Sequence, residues 1–486
     1  MTNTKISPPK LQTNQNLRQK HLQALSDRYT QRTKTSKQMN QAYRSVLADP
    51  RVPQWFEPTT KEMCYLIAAQ KAQGSKVWDI DGNEYIDIIM GFGSNLLGHN
   101  PPFIKEAIQG QLEKGFPLGP QSASVGKVAE LISELTGMER VAFSNTGTEA
   151  VMSAIRLARS HTKRKKIAIF TNSYHGHADG VLVESLGLKS PKVLEKIGGN
   201  FITSRINSWA WPSFRGIPYS IGKNALMLEY GNPQSLKIIK ANQGKIAAVL
   251  VEPVQTGRPD LQPREFVQQL RQLTEQSGIA LIFDEMITGF RLHQGGAQAW
   301  YGVEADIATY GKVVGGGMPI GIIAGKKEYL DHIDGGSWSY GDDSAPEVAT
   351  TFFAGTYCKH PLAIAASRAV LKYLKDSGPA LQEQLNDKTT QFVSNLNNFF
   401  SDQKLPLKMA NFGSFFGPVF SENAASENFI KDFGLLRYHL FDRGILLRGE
   451  GGGFLSTAHS DADINLILQA IKNSTMELQE NGFLQS

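Results

Sequence analysis

Lys312 stands in the run DIATYGKVVGGGMPIG, and 28 residues before it Asp284 closes the short apolar stretch ALIF in ALIFDEMITGFR. An amine and a strand-terminal acid suit a particular chemistry. The amine can hold an aldehyde as a Schiff base, and a buried anion can keep a pyridine nitrogen protonated; these are the requirements of pyridoxal 5'-phosphate (PLP). The pair alone is suggestive and would serve any PLP reaction.

Other residues could complete such a site. In SNTGTEAVMSAIRLAR, residues 144 to 159, small residues and a glycine precede a helical pattern. Free N–H groups and hydroxyls at a helix start bind phosphate, so Thr146, Gly147 and Thr148 could cradle it. The plain alternative is an ordinary N-cap. SYHGHAD places Tyr174, His175 and His177 in a loop after the strand KIAIFTN, where an aromatic could stack on a planar ring or simply shape a polar loop. The two histidines have no third ligand near in sequence, so no metal site is expected. Glu252 closes IAAVLV as Asp284 closes its own strand, either beside the ring or in a capping or ion-pair role.

The elements that must position these residues alternate. Apolar strands at MERVAFSN, KIAIFTN, IAAVLVEP and IALIFDE are separated by helical segments such as TEAVMSAIRLARSHT and PREFVQQLRQLTEQSG. That order predicts an α/β fold: a mostly parallel sheet covered by helices, with its ligand site beyond the carboxyl ends of the strands. An Asp-Gly turn at 81 to 82 within SKVWDIDGNEYIDIIMGFG signals a hairpin. A helical stretch from about residue 371, followed by GSFFGPVF, GILLRG and a last helix from Asp461, reads as a small α+β domain. The expected division is a basic polar leader (1–50), an N-terminal part of the small domain (51–95), a large PLP-binding domain (96–370) and a C-terminal small domain (371–486).

A chain of 486 residues with 41% hydrophobic and 20% charged residues has ample material for a core. Residues 1 to 44 hold nine Lys or Arg against one acid, Asp27, within a net charge of +6, so the remainder is close to neutral. No general basic surface for nucleic acid results, and the leader lacks the aromatics that single-strand binders use. Rich in Gln, Thr, Asn and Ser, it reads as a disordered or loosely helical arm, or else a docking segment. Cys64 and Cys358 have no CxxC partner, the longest apolar runs are too short to span a bilayer, and no signal-peptide core is present. A cytoplasmic protein with no membrane partner is the expectation.

Thr-Gly-Thr-Glu at 146 to 149, Tyr-His-Gly-His at 174 to 177, Glu-Pro at 252 to 253, FDEMITGFR, YGKVVGGGMPIG and FAGTYCKHPLA occur in the order and spacing of class III aminotransferases. The likeness spans roughly residues 55 to 475 and resembles the glutamate-1-semialdehyde aminomutase branch through YHGHAD, GGAQAWYGVEAD and FLSTAHSDADI. MGFGSNLLGHNPPF, PLGPQSASVGKVAELI, VEPVQTGRPDLQPREF and DGGSWSYGDDS are more similar to aminotransferase domains of polyketide and nonribosomal-peptide assembly lines. The resemblance implies a fold-type I transferase, with a large domain built on a seven-stranded-type sheet, acting as a homodimer with active sites at the interface. Lys312 would be the Schiff-base lysine and proton shuttle, and Asp284 the partner of the pyridine nitrogen. Gly147 and Thr148 would bind phosphate from one subunit, Thr356 would add a hydroxyl from the other, and Tyr174 would stack on the ring.

Two departures bear on substrate. Cys358, Lys359, His360 and Pro361 stand where the mutases carry Ser-Gly-Asn-Pro, and GEGGGFLS at 449 to 456 replaces a mutase-like carboxylate. Loss of bulk there would widen the mouth for a substrate on a phosphopantetheine arm. The expected reaction is therefore amination of a β-ketoacyl thioester tethered to an acyl carrier protein, with glutamine or glutamate as donor. The alternatives are glutamate-1-semialdehyde 2,1-aminomutase, a free-standing omega-aminotransferase, and an idle docking module. HTKRKK at 161 to 166 is a basic face for an acidic carrier or a solvated helix end. Arg448, Arg258 and Arg215 are equivalent choices for the donor carboxylate.

Overall fold

The computed structural model describes residues 9–54, 56–185, 209–420, 426–447, 449 and 451–485. The chain divides into two compact units, Met1–Pro101 with Leu385–Ser486, and Pro102–Gln384.

The larger unit is built on seven strands, numbered here in chain order: β1 (Arg140–Ser144), β2 (Lys166–Phe170), β3 (Ala225–Leu228), β4 (Ile246–Val251), β5 (Ala280–Asp284), β6 (Ile307–Tyr310) and β7 (Gly321–Gly325). Their spatial order is β1-β7-β6-β5-β4-β2-β3, and only β7 runs against the rest. Every residue of β4 and β5 is buried, the continuous apolar pattern of strands covered on both faces. The helix Gly147–Thr162 buries Ala150, Val151, Ala154, Ile155, Leu157 and Ala158 along one stripe. The helix Arg264–Ser277 buries Phe266, Val267, Leu270 and Thr274 and stops at Gly278, whose φ of +58° suits glycine.

The smaller unit is α+β. Strands Lys76–Asp79 and Glu84–Asp87 form the hairpin expected at Asp81-Gly82; Ala69–Gln73 flanks it on one side, and Ile445–Leu446 pairs parallel to Glu84–Asp87 on the other. Leu407–Phe412, Phe415–Phe420 and Gly453–Phe454 make a second, antiparallel sheet.

Two expectations about organisation need correction. The leader is a helix, Pro9–Arg32, followed by another at Lys34–Tyr43, which fits the docking segment among the readings offered for it and not the disordered or solvated arm. Leu25 and Tyr29 are fully buried, Tyr29 against Tyr65 and Tyr438, and Arg18 pairs with Asp432. The backbone amides of Thr35 and Ser36 donate to the Asp81 carboxylate in the hairpin turn, at 2.6 and 3.0 Å. Buried Leu25 and Tyr29 and these polar contacts together dock the leader, and composition does not register them. The other correction concerns residues 371–384, which belong with the larger unit. Pro361–Ser377 is a helix that buries Val370, Leu371 and Leu374, and it breaks at Gly378 (φ +68°) before Ala380–Asp402 begins. No helix among the described residues is long and apolar enough to cross a membrane.

Candidate active site

Because β1, β2, β4, β5 and β6 are mutually parallel, their carboxyl ends share one edge of the sheet. There lie Asn145 after β1, Tyr174 and His175 beyond β2, Glu252 after β4, Asp284 at the end of β5, and Gly311-Lys312 after β6. The antiparallel β7 begins at the same edge, with Gly321 opposite Ser144.

Asp284 and His175 are each 3% exposed. His175 Nδ1 lies 2.8 Å from Asp284 Oδ2 and donates to it, since an ionised carboxylate only accepts. Asp284 Oδ1 accepts from the Met286 amide at 3.2 Å and from Thr309 Oγ1 at 3.3 Å. Thr309 is the register partner of Asp284 on β6. On the far side of the imidazole, Nε2 is buried without a protein hydrogen bond among the described residues. A buried polar atom of this kind ordinarily finds a partner.

Glu252 is buried, which raises its pKa above the ordinary carboxylate value, against the opposing bond from the Thr256 hydroxyl. It accepts from the amides of Thr256 at 3.0 Å and Tyr174 at 3.1 Å. Glu252 thus anchors the backbone of the Tyr174 loop. The Tyr174 side chain stands 63% exposed at the rim.

Thr146 caps the helix Gly147–Thr162: its Oγ1 accepts from the Glu149 amide at 3.2 Å, while Glu149 Oε2 accepts from the Asn145 amide at 2.8 Å. The N-cap reading of this turn holds, and capping leaves the Thr146 hydroxyl proton and the first helical amides available. Thr148 Oγ1 accepts from the His177 amide at 3.3 Å. Glycine is required where the loops touch. A Cβ on Gly176 (φ +83°) would sit 2.5 Å from Thr148 Oγ1, and one on Gly321 would sit 2.0 Å from the Thr146 carbonyl oxygen.

Lys312 is half-buried and has a φ of +46°, the left-handed region, at the start of the turn Lys312–Gly315. A non-glycine residue there is strained, and such strain collects where a fold must aim a functional side chain. Thr356 lies exposed in the turn before the helix Pro361–Ser377 and, among the described residues, makes no hydrogen bond to the Asp284 cluster.

The remaining sequence candidates separate by geometry. Arg164 of HTKRKK donates to the carbonyls of Ser277 and Gly278 at 2.9 Å, which makes it a structural clamp. Arg258 grips Asp260, Arg215 is exposed, and Arg448 lies outside the described residues. Thr309 and Met286 were not foreseen. Met286 could have been suspected from its place two residues after the acid, whereas nothing in one strand's sequence reveals which residue of the next strand stands beside it.

Residues 57–471 match the family described as aminotransferase class-III. This chain belongs to that family. It is similar to the glutamate-1-semialdehyde 2,1-aminomutase of Ruminiclostridium cellulolyticum, 35% identical over 418 residues that cover 84% of this chain and 89% of that protein. Its fold is similar to an omega-transaminase from Sphaerobacter thermophilus, with a TM-score of 0.79, 26% identity and coverage of 91% and 98%. A transaminase solved with PLP bound gives a TM-score of 0.78 at 26% identity, covering 92% and 99%. The class-III aminotransferase described here is a PLP-dependent enzyme of the fold-type I architecture. The site suits that cofactor: a buried acid for the ring nitrogen, glycines that let backbone close in beside a helix start for the phosphate, and a lysine at the same edge.

Proposed function

We propose that Lys312 is the residue that carries PLP covalently and moves the proton during amino transfer, with Asp284 against the pyridine nitrogen. When bound, PLP would supply an electron sink for bond breaking at the amino-bearing carbon. The chain's own residues do the rest. Asp284, held by His175, Thr309 and the Met286 amide, keeps a negative charge where the ring nitrogen needs one. Gly147 and Thr148 offer amides to the phosphate, with Thr146 beside them. Tyr174, whose backbone Glu252 fixes, would stack on the ring. Exposed Thr356, beside the exposed Phe352 and Tyr357, would complete the phosphate site of a second copy in a homodimer.

For the substrate we favour an intramolecular shift of an amino group between neighbouring carbons of a small amino aldehyde, the reaction named in the aminomutase relatives. The likeness that carries this reading runs along both units of the chain, at 35% identity over 84% of its length. The departures that suggested a wider mouth have local explanations within their own units. A Cβ on Gly453 would lie 2.9 Å from the Ile88 carbonyl oxygen and from Phe416 Cζ, and one on Gly451 would lie 2.8 Å from Phe433 Cε1. His360 caps the helix Pro361–Ser377 by accepting from the Leu362 amide at 3.3 Å.

A second reading, amination of a carrier-tethered β-ketoacyl thioester by an amino-acid donor, keeps support from the DGGSWSYGDDS stretch. There Trp338 and Tyr340 are exposed, Tyr340 at 93%. One experiment separates the two: the purified protein is given glutamate-1-semialdehyde with no donor. Formation of the isomer with its amino group on the neighbouring carbon supports the mutase reading. Failure there, with a donor-dependent mass change of a carrier-bound β-keto chain, would replace it with the second.

A further inference from the structure

Three helices of the smaller unit bring two imidazoles and a carboxylate together. His21 lies on the leader helix Pro9–Arg32, His439 on the helix Leu436–Asp442 and Glu477 on the helix Asp461–Glu480. Both histidines are buried, and their Nε2 atoms lie 3.1 Å apart although 418 residues separate them in the chain. One nitrogen of each ring and one Glu477 oxygen all lie within 4.8 Å of one another.

Facing imidazole nitrogens need something between them. If both are bare, two lone pairs oppose each other; a proton on one, or a cation shared by both, removes the conflict. Ions of the zinc class bind imidazole nitrogen at about 2.0–2.1 Å in tetrahedral sites, which sets two such ligands about 3.3 Å apart. The observed 3.1 Å is close to that span. A hydrogen-bonded chain from Arg443 through His439 to His21 is the metal-free alternative, but its first link, from Arg443 Nη1 to His439 Nδ1, is 3.5 Å long.

Glu477 can supply a third donor. Its Oε2 is held by Arg443 and lies 3.6 Å from His439 Nδ1, while Oε1 meets Arg28 only at 3.5 Å and His21 Nδ1 at 3.9 Å. Arg28 keeps another partner in Asp442, at 3.2 Å. Oε1 is therefore loosely held and able to turn to an ion, with Arg443 left on Oε2 in the manner of the hydrogen-bonded carboxylates that ligate metals. The two guanidiniums oppose any cation, so the site suits an ion that imidazole binds strongly and not a hard one. Burial, then His439, lowers the pKa of His21 to about 4, which leaves the ring uncharged at neutral pH, the form that ligates.

We propose that His21, His439 and Glu477 form a site for a zinc-class transition-metal dication, which ties the leader helix to the two C-terminal helices. No reaction step is assigned to the metal. All three residues belong to the smaller unit, so the proposal stands apart from the assignments made for PLP.

The test uses the full-length, PLP-loaded protein, freed of metal by a chelator and titrated calorimetrically with zinc alone, then with magnesium as the hard-ion control. The expected result is about one zinc bound per chain, affinity at least about tenfold weaker in His21→Gln and in Glu477→Gln, and no uptake of magnesium. Amide exchange along Pro9–Arg32 should be several-fold slower with zinc than without, while that of Ala280–Asp284 is unchanged. A wild-type protein that takes up no zinc, or His21→Gln that binds it as tightly as wild type, overturns the proposal; the first outcome would leave a shared proton between the rings.

A measurement on the wild type alone guards against a variant that binds weakly because it folds poorly. Cobalt(II) in place of zinc should give the intense visible absorption of a tetrahedral site with nitrogen and oxygen ligands. The weak spectrum of the hydrated ion after one equivalent has been added would also overturn the proposal.

Discussion

His175 Nδ1 and Asp284 Oδ2 lie 2.8 Å apart, both side chains almost wholly buried, although 109 residues separate them in the chain. The contact joins the loop after β2 to the end of β5. It satisfies one oxygen of a carboxylate that Thr309 and an amide hold by the other, which leaves the acid little freedom to turn.

His175→Ala should therefore leave a buried carboxylate short of a donor, at a cost of about 1–3 kcal/mol. Weaker PLP binding is expected, together with a kcat reduced by about tenfold or more, since that energy acts on the group proposed to pair with the ring nitrogen. Fluorescence titration and steady-state kinetics on the same preparation check both. Wild-type values for the two would show that the pair has no part in the site.

Lys312→Ala should abolish covalent fixation of PLP by borohydride. Backbone strain adds a less obvious expectation. At φ +46° an L side chain costs about 1–2 kcal/mol that glycine avoids. Lys312→Gly should thus be at least as stable as Lys312→Ala by calorimetry, the reverse of the order usual within regular structure. A clearly more stable alanine variant would mean that the turn relaxes in solution.

Tyr29 tests the leader helix. Its ring is fully buried and its hydroxyl has no hydrogen-bond partner among the described residues. Tyr29→Ala should lose about 3–5 kcal/mol in urea denaturation, the range for deleting a buried aromatic. Tyr29→Phe should be neutral or stabilising, because it removes an unsatisfied polar group. If the alanine variant unfolds at the wild-type urea concentration, the helix is not docked.

The smaller unit should weaken in acid. His21 and His439 face each other with Nε2 atoms 3.1 Å apart, and Glu477, Arg28 and Arg443 surround them. Burial, then His439, lowers the pKa of His21 from 6.5 to about 4. The unfolded chain therefore binds more protons than the folded one between these values, so stability is full above about pH 6.5 and falls as pH drops towards 4. Hydrogen bonding from His439 and Arg443 holds Glu477 below the ordinary range, which extends the loss to lower pH. Denaturation midpoints of His21→Gln between pH 7 and 4 should be flatter than wild type. Parallel pH curves would remove His21 from the explanation.

Much of the site was legible because parallel strands buried on both faces read as apolar runs, and a polar residue ending such a run falls at the sheet edge. Asp284 and Glu252 are readable in that way. Lys312 follows a run of the same kind, IATY, whose glycine-rich sequel marks a turn. Which of the leader's alternatives holds was not legible, because docking by Leu25 and Tyr29 depends on what they meet rather than on the composition around them. What packs against the glycines near residue 451 was hidden for a similar reason: their neighbours Ile88, Phe416 and Phe433 lie elsewhere in the chain.

The sequence by itself determined the element order, the residue types at the strand ends and hence the cofactor chemistry, since these depend on local pattern and on motifs read along one segment. Only the tertiary structure decided that His175, Thr309 and the Met286 amide all serve Asp284, that Glu252 serves the Tyr174 loop, and that His21 meets His439. Those relations arise from strand register and close packing between segments far apart in the chain, where no single stretch of sequence records its neighbour.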